Sequence, residues 1–155
     1  MLWLKNLLFT VVVPGTVAGW VPMLLLRGRP AAPLAWRLVA LPVLVAGVGV
    51  YAWCLWDFAT FGRGTPAPID APRRLVVRGL YRWTRNPMYV GVLATILGWA
   101  LYARSPGLLV YSGLVWCAFQ SFILFYEEPH LTRVFGSEYD AYRAAVGRWW
   151  PRRPA

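Results

Sequence analysis

The sequence predicts an all-α integral membrane protein with four transmembrane helices, both termini in the cytoplasm and an amphipathic C-terminal helix. Hydrophobic residues make up 59% of the 155 residues and charged residues only 14%, against roughly 45–50% and 25% in soluble domains. Ten residues are Trp, which favours membrane–water interfaces. A bilayer is therefore the expected main solvent, and residues 1–155 are expected to form one membrane domain.

The four predicted spans are apolar stretches long enough to cross the hydrocarbon core, which takes about 20 residues, with a range of about 17–25. The first is too long for the apolar core of a signal peptide, about 7–15 residues, and Pro14 and Pro22 predict kinks in it. The third is near the lower limit of length and forms a tight hairpin with the fourth. The predicted spans are residues 4–26, 38–57, 87–103 and 106–127.

The basic residues predict the orientation of the chain. With the N-terminus inside, 12 of the 16 Lys and Arg residues flank the spans on the cytoplasmic side, as the positive-inside rule requires. Residues 58–86 then form a cytoplasmic loop, and residues 128–155 form a cytoplasmic C-terminal segment. The net charge of +10 therefore predicts membrane lipids as partners and not nucleic acid. We expect a multi-pass protein of the cell (inner) membrane.

The cysteines and the histidine predict neither a disulfide framework nor a metal site. Cys54 and Cys117 are the two cysteines and both lie in apolar stretches, so we expect them to be packed core residues. His130 is the single histidine, and a second one would be needed for a haem or zinc site. We therefore expect no metal.

A helix is predicted to begin where the cytoplasmic loop enters the third span. Asn86 before Pro87 is a helix start, and the free N–H groups there, together with Arg85, form an anion site that suits a carboxylate. A capped helix with a snorkelling arginine explains the same residues, and both interpretations stay open. Small residues on one face of this helix indicate close helix packing or room for a ligand: Gly91, Thr95 and Gly98.

Two adjacent carboxylates, Glu127 and Glu128, stand at the predicted end of the fourth span. Repulsion and desolvation make such a pair costly at a membrane boundary, so either they are charges at headgroup level or one of them accepts ligand hydroxyls or an amine. Neighbours on a helix point in different directions, which argues against an acid–base pair. Gln120, seven residues earlier, projects from nearly the same side as Glu127.

The segment after Gly136 is predicted to form an amphipathic interfacial helix. Ser137 and Asp140 have the spacing of a capping box, and Tyr139, Tyr142 and Val146 share one face. An aromatic and basic stretch over residues 149–153 closes the helix. This C-terminal piece is placed to cover the mouth between the third and fourth spans.

Five short motifs follow one another in the second half of the chain. They are Gly79-Leu80-Tyr81, Arg85-Asn86-Pro87-Met88-Tyr89-Val90-Gly91, Glu127-Glu128-Pro129, Phe135-Gly136 with Tyr139 and Tyr142, and Arg148-Trp149-Trp150-Pro151. Each motif is weak alone, but their order, spacing and membrane placement together are specific. With them, roughly residues 61–153 resemble the isoprenylcysteine carboxyl methyltransferase and phospholipid methyltransferase superfamily. In many members histidine stands where this chain has Asn86, which cannot act as a general base near pH 7.

This resemblance implies an S-adenosylmethionine-dependent methyltransferase with its cofactor on the cytoplasmic side. The implied catalytic residues are Arg85, Tyr89 and Glu127. Arg85, Asn86 and Tyr89 would hold the amino-acid part of the cofactor, and Glu127 or Glu128 its ribose or amine. The implied cofactor-binding set is Tyr81, Arg85, Asn86, Pro87, Tyr89, Gly91, Gln120, Glu127 and Glu128.

The acceptor implied by a membrane site is lipidic or apolar and enters sideways between helices. An isoprenylcysteine-like carboxylate, a phospholipid amine and a small thiol all stay open as acceptors. A non-catalytic membrane scaffold or transporter subunit that kept the fold is the alternative of a different class. The sequence does not decide the oligomeric state.

Overall fold

The computed structural model describes residues 2–30, 32–62 and 74–151, and every element in these ranges is helical. The first half is a helical stretch that changes type twice, followed by one long helix and a short 3-10 turn. Its elements are α1 (Leu2–Val12), a π-helical segment (Thr16–Trp20), α2 (Val21–Leu25), α3 (Leu34–Asp57), a second π segment (Phe58–Gly62) and a 3-10 turn (Gly79–Arg82).

The second half is a helical hairpin whose second arm continues into a short return helix. Ser105 caps this arm by accepting a hydrogen bond on its side chain from the Leu108 N–H at 3.4 Å. The elements are α4 (Pro87–Tyr102), α5 (Pro106–Phe122), a third π segment (Ile123–Glu127), α6 (Glu128–Phe135) and α7 (Ser137–Ala145).

Three helical stretches in the described part of the chain are long and apolar enough to cross a membrane: Leu4–Leu25, Leu34–Gly62 and Pro106–Phe135. The fourth apolar helix, Pro87–Tyr102, has 16 residues and is shorter than those three. Large apolar side chains such as Leu8, Val45 and Leu114 are exposed on these helices. So large an apolar surface is rare on soluble monomers, whereas a lipid bilayer would solvate it.

Prolines shape the helices in two different ways. The first stretch changes type near Pro14 and Pro22, where kinks were predicted. The helix that contains the predicted span over residues 106–127 continues through Pro129 to Phe135. Pro129 lies in the first turn of α6, where a missing N–H costs little.

The closest helix contact is between α3 and α4, and glycines make it. A Cβ on Gly47 would lie 2.6 Å from the Thr95 nitrogen, and one on Gly91 would lie 2.8 Å from the Tyr51 nitrogen. Gly98 would meet the Leu44 side chain at 2.7 Å. The small face of α4 is thus a helix-packing surface.

Two expectations about local structure are wrong. The predicted capping box at Ser137 does not form, because α7 is preceded by Gly136 at φ 52° and has no side-chain cap. Cys54 is fully buried as predicted, but Cys117 is exposed on α5. A thiol behaves as a small apolar group, so this exposed position still suits a lipid-facing surface.

Candidate functional site

Arg85 is the central cation of the candidate site. It lies just before α4, its side chain is 9% exposed, and its Nη1 is 3.0 Å from Glu128 Oε1. The same nitrogen donates to the Tyr139 hydroxyl at 3.1 Å. Its Nε is buried and has no hydrogen-bond partner among the residues that the structure describes. A buried donor without a partner is costly, so Arg85 retains capacity to bind an anionic group.

The two adjacent glutamates have different partners, in agreement with their predicted divergence. Glu127 Oε2 accepts a hydrogen bond from the Tyr89 hydroxyl at 2.8 Å. The Tyr89 ring packs on Phe119, with ring centroids 4.5 Å apart. Glu128 instead faces the arginines, so one carboxylate is compensated by charge and the other only by a neutral hydroxyl.

Arg148 is the second cation on Glu128. Its Nε donates to Glu128 Oε1 at 2.8 Å and its Nη2 to Oε2 at 3.0 Å. This two-point geometry is the strong form of an arginine–carboxylate pair. The hydrogen bond to Glu128 raises the pKa of the Arg148 guanidinium. Together with Arg85, it holds Glu128 between two positive charges.

The C-terminal segment is fastened to the start of α4 through its backbone. The Arg85 N–H donates to the Gly147 carbonyl at 2.9 Å. The Arg148 carbonyl accepts from Thr84 Oγ1 at 2.8 Å and from Asn86 Nδ2 at 3.1 Å. Asn86 is therefore the residue before the helix, as predicted, but its side chain binds the C-terminal segment and does not cap α4.

A second attachment joins the C-terminal segment to α5. Trp149 Nε1 donates to Gln120 Oε1 at 2.7 Å, and the Trp116 and Trp149 rings lie 6.2 Å apart. The segment thus bridges the start of α4 and the end of α5.

Three tyrosines outside the long helical stretches surround the cluster. The Tyr142 hydroxyl donates to the Tyr81 carbonyl at 2.7 Å, and the Tyr81 ring meets Phe58 edge-on at 5.6 Å. Burial raises the pKa of Tyr81, Tyr139 and Tyr142 above the usual range. All three hydroxyls therefore stay protonated at neutral pH; Tyr142 donates its hydrogen bond, whereas Tyr139 accepts one from Arg85.

A small enclosed cavity of about 20 Å³ lies where these groups meet. That volume holds roughly one water molecule, so a larger ligand requires neighbouring groups to move. Arg148 is the neighbour whose guanidinium binds both carboxylate oxygens of Glu128. The cavity is lined by Arg85, Asn86, Ile123, Glu127, Glu128, Leu131, Tyr139 and Tyr142.

The structure brings together some of the predicted site residues and separates others. Arg85, Asn86, Glu127 and Glu128 line the cavity, and Tyr89 touches it through Glu127. The remaining members have other surroundings: Tyr81 is buried beside Phe58, Pro87 begins α4, Gly91 packs on α3, and Gln120 binds Trp149.

Residues that the sequence analysis did not assign to the site are Tyr139, Tyr142 and Arg148. One sequence feature could have found Arg148. Two adjacent carboxylates need more than one nearby cation when they are desolvated, and Arg85 supplies only one. Tyr139 and Tyr142 were predicted to share one helix face, but not to line the site.

The chain is similar to proteins of known activity. A family model described as phospholipid methyltransferase matches residues 36–138. The chain is 30% identical over 117 residues to a phosphatidylethanolamine N-methyltransferase of Yarrowia lipolytica, covering 70% of this chain and 12% of that protein. A protein of the same name from Schizosaccharomyces japonicus is 30% identical over 90 residues, covering 58% of this chain and 9% of that protein.

A relative with a different named activity also matches. The protein-S-isoprenylcysteine O-methyltransferase of Saccharomyces cerevisiae is 34% identical over 74 residues, covering 47% of this chain and 30% of that protein. This chain therefore spans only a minor part of the length of these relatives. No solved structure matches the chain.

Proposed function

The chain belongs to the phospholipid methyltransferase family, and from that premise we propose that it is an integral membrane methyltransferase. It would move a methyl group from S-adenosylmethionine to a lipidic or apolar acceptor. The observation that carries the proposal is the cluster of Arg85, Glu127 and Glu128 around one cavity, with Tyr89 bonded to Glu127. All four residues lie within the segment that matches the family.

The chemistry of this cluster fits S-adenosylmethionine. The unpaired Nε of Arg85 suits the cofactor's carboxylate, and Glu127 or Glu128 suits its amine or ribose hydroxyls. Tyrosine rings nearby favour a cationic sulfonium. When bound, the cofactor supplies a methyl group on that positively charged sulfur. Because the cavity is small, we infer that Arg148 leaves Glu128 when the cofactor is bound.

The side chains of the cluster have separate roles in this proposal. Arg85 and Asn86 hold the anionic end of the cofactor, and Tyr89 fixes the orientation of the Glu127 carboxylate through its 2.8 Å bond. Asn86 acts in positioning, since an amide cannot accept a proton near pH 7. Buried apolar neighbours such as Ile123 exclude water and hold the reactants at close approach.

The proposed membrane placement is four spans with both termini in the cytoplasm. Pro87–Tyr102 is the short third span, and a 16-residue helix is about 24 Å long, less than the roughly 30 Å core. The charge asymmetry of the flanks supports a site facing the cytoplasm. The tyrosine face of α7 is turned into the cluster, where Tyr139 is 2% exposed and accepts a hydrogen bond from Arg85.

Two acceptor classes have named relatives. A phospholipid amine fits the family model and the two phosphatidylethanolamine N-methyltransferases, and an isoprenylcysteine carboxylate fits the third relative. Identities near one third do not decide between them. Either acceptor would reach the site from the lipid between the helices.

Binding of S-adenosylmethionine to detergent-purified protein, measured by calorimetry with ATP as the control ligand, tests the proposal. Saturable binding near one per chain is expected, weakened roughly tenfold by Arg85→Ala because an ionic contact to a charged group is lost. Transfer of labelled methyl groups to phosphatidylethanolamine and to a farnesylcysteine substrate then identifies the acceptor. Folded protein that binds no cofactor would refute the enzyme and favour a non-catalytic scaffold.

A further inference from the structure

A second carboxylate lies buried at the end of α3, outside the cavity described above. Asp57 is 2% exposed, and its Oδ1 is 3.2 Å from Arg78 Nε. Its Oδ2 is buried and, within residues 2–30, 32–62 and 74–151, has no hydrogen-bond partner. An ionised oxygen without a partner in such surroundings is costly, and an ionisable residue in a membrane segment is by default a functional hypothesis.

The backbone of residue 79 packs so closely against Asp57 that only glycine fits there. Gly79 has φ 56°, and a Cβ there would lie 2.5 Å from Asp57 Oδ2 and 3.0 Å from Trp53 Nε1. The free oxygen therefore faces a backbone methylene beside an indole edge. Any other residue at position 79 would collide with the carboxylate and would be strained at that φ.

Aromatic residues lie on either side of Asp57 in the chain. Trp53 is one helical turn before Asp57, and Phe58 is its neighbour, packed edge-on against Tyr81 at 5.6 Å. Carboxylates with aromatic faces are the surroundings that bind alkylated ammonium groups. Trp53 and Arg78 are both more than half exposed, so the carboxylate is only one side chain below the surface.

The location adjoins the proposed cofactor site. Phe58, the residue after Asp57, packs edge-on against the Tyr81 ring at 5.6 Å. The Tyr81 carbonyl accepts a hydrogen bond from the hydroxyl of Tyr142, which lines the cavity together with Glu127. Tyr81 thus connects the surroundings of Asp57 with the cavity, as the acceptor and donor ends of one reaction site require.

We propose that Asp57, with the aromatic rings of Trp53 and Tyr81, binds the cationic amine of the acceptor headgroup. This inference rests on the proposed methyltransferase function and selects an amine among the acceptors left open. A carboxylate acceptor would meet a buried negative charge and be repelled. An ammonium group, or its methylated products, supplies the partner that Oδ2 lacks.

Calorimetric titration of dodecyltrimethylammonium into the full chain in maltoside micelles tests the site without requiring catalysis. Saturable binding is expected in the wild type and should weaken about tenfold in Asp57→Asn, which removes a charge and keeps the shape. Glu138→Gln, an exposed carboxylate on α7, is the matched control and should bind like the wild type. Dodecanoate, with an anionic head of similar chain length, should show no saturable binding.

Two results would overturn the inference: equal binding of the cationic and anionic amphiphiles by the wild type, or unchanged ammonium affinity in Asp57→Asn. If Asp57→Asn does not fold, the comparison of the two amphiphiles on wild-type protein still decides. Binding of S-adenosylmethionine is measured on the same samples. Its loss would refute the methyltransferase, whereas ammonium binding reports on Asp57 alone.

Discussion

Neutralising the two adjacent glutamates should have very different effects on stability. In Glu128→Gln, the buried Arg85 loses its carboxylate and Arg148 loses both of its charge-assisted bonds. Removing one partner of a buried ion pair costs about 3–5 kcal/mol. Glu128 is 12% exposed and Arg148 is 29% exposed, so we expect the lower end, about 3 kcal/mol.

In Glu127→Gln, by contrast, the amide oxygen still accepts the Tyr89 hydroxyl proton. The loss is one charge-assisted component of a single hydrogen bond, about 1 kcal/mol or less. A chain of this size shifts its Tm by roughly 2–4 °C per kcal/mol. The expected drops are therefore about 6–12 °C for Glu128→Gln and at most about 4 °C for Glu127→Gln.

Thermal unfolding in one detergent, followed by tryptophan fluorescence, measures both variants against the wild type. Glu138→Gln controls for loss of an exposed carboxylate and should leave the Tm unchanged. Equal shifts for the two glutamates, or a larger shift for Glu127→Gln, would refute the assignment of Glu128 as the charge-paired member.

Two other contacts give simple tests. Gly91→Leu should separate α3 from α4, because even a Cβ there would lie 2.8 Å from the Tyr51 nitrogen. Such overpacking lowers the free energy of unfolding by about 1–3 kcal/mol. Gly113→Ala is the control, because its Cβ meets nothing within 4 Å and should leave the Tm unchanged. Trp149→Phe removes the donor to Gln120, so limited trypsin digestion at the C-terminal segment should accelerate about fivefold; an unchanged digestion rate would show that this bond does not hold the segment.

Much of the architecture could be predicted because lipid solvent restricts the chain. Charge-free stretches can only be helices in a bilayer, so the apolar helices were predictable from the spacing of charges alone. The family resemblance, based on the residues from Gly79 to Pro151, is confirmed by the match to residues 36–138. The start of α4 at Asn86 could also be predicted, since the following Pro87 favours the first turn of a helix.

The parts that could not be predicted depend on contacts distant in sequence. Nothing near Asn86 indicates that its side chain binds the Arg148 carbonyl, 62 residues away. Continuation of the helix past Glu127 and Glu128 could not be read from the charge pattern, which marks where an apolar span ends and not where its helix ends. Gly91 could serve packing or a ligand by its local pattern, and only the position of α3 decides.

The attachment of the C-terminal segment has a consequence for how this region can vary. Three of its hydrogen bonds end on main-chain carbonyl oxygens, those of Gly147 and Arg148. Such bonds tolerate almost any side chain at the accepting residue but no change in spacing. A one-residue deletion between Ala145 and Gly147 would move Arg148 and Trp149 off Glu128 and Gln120 together. In this part of the protein, length is under stronger constraint than composition.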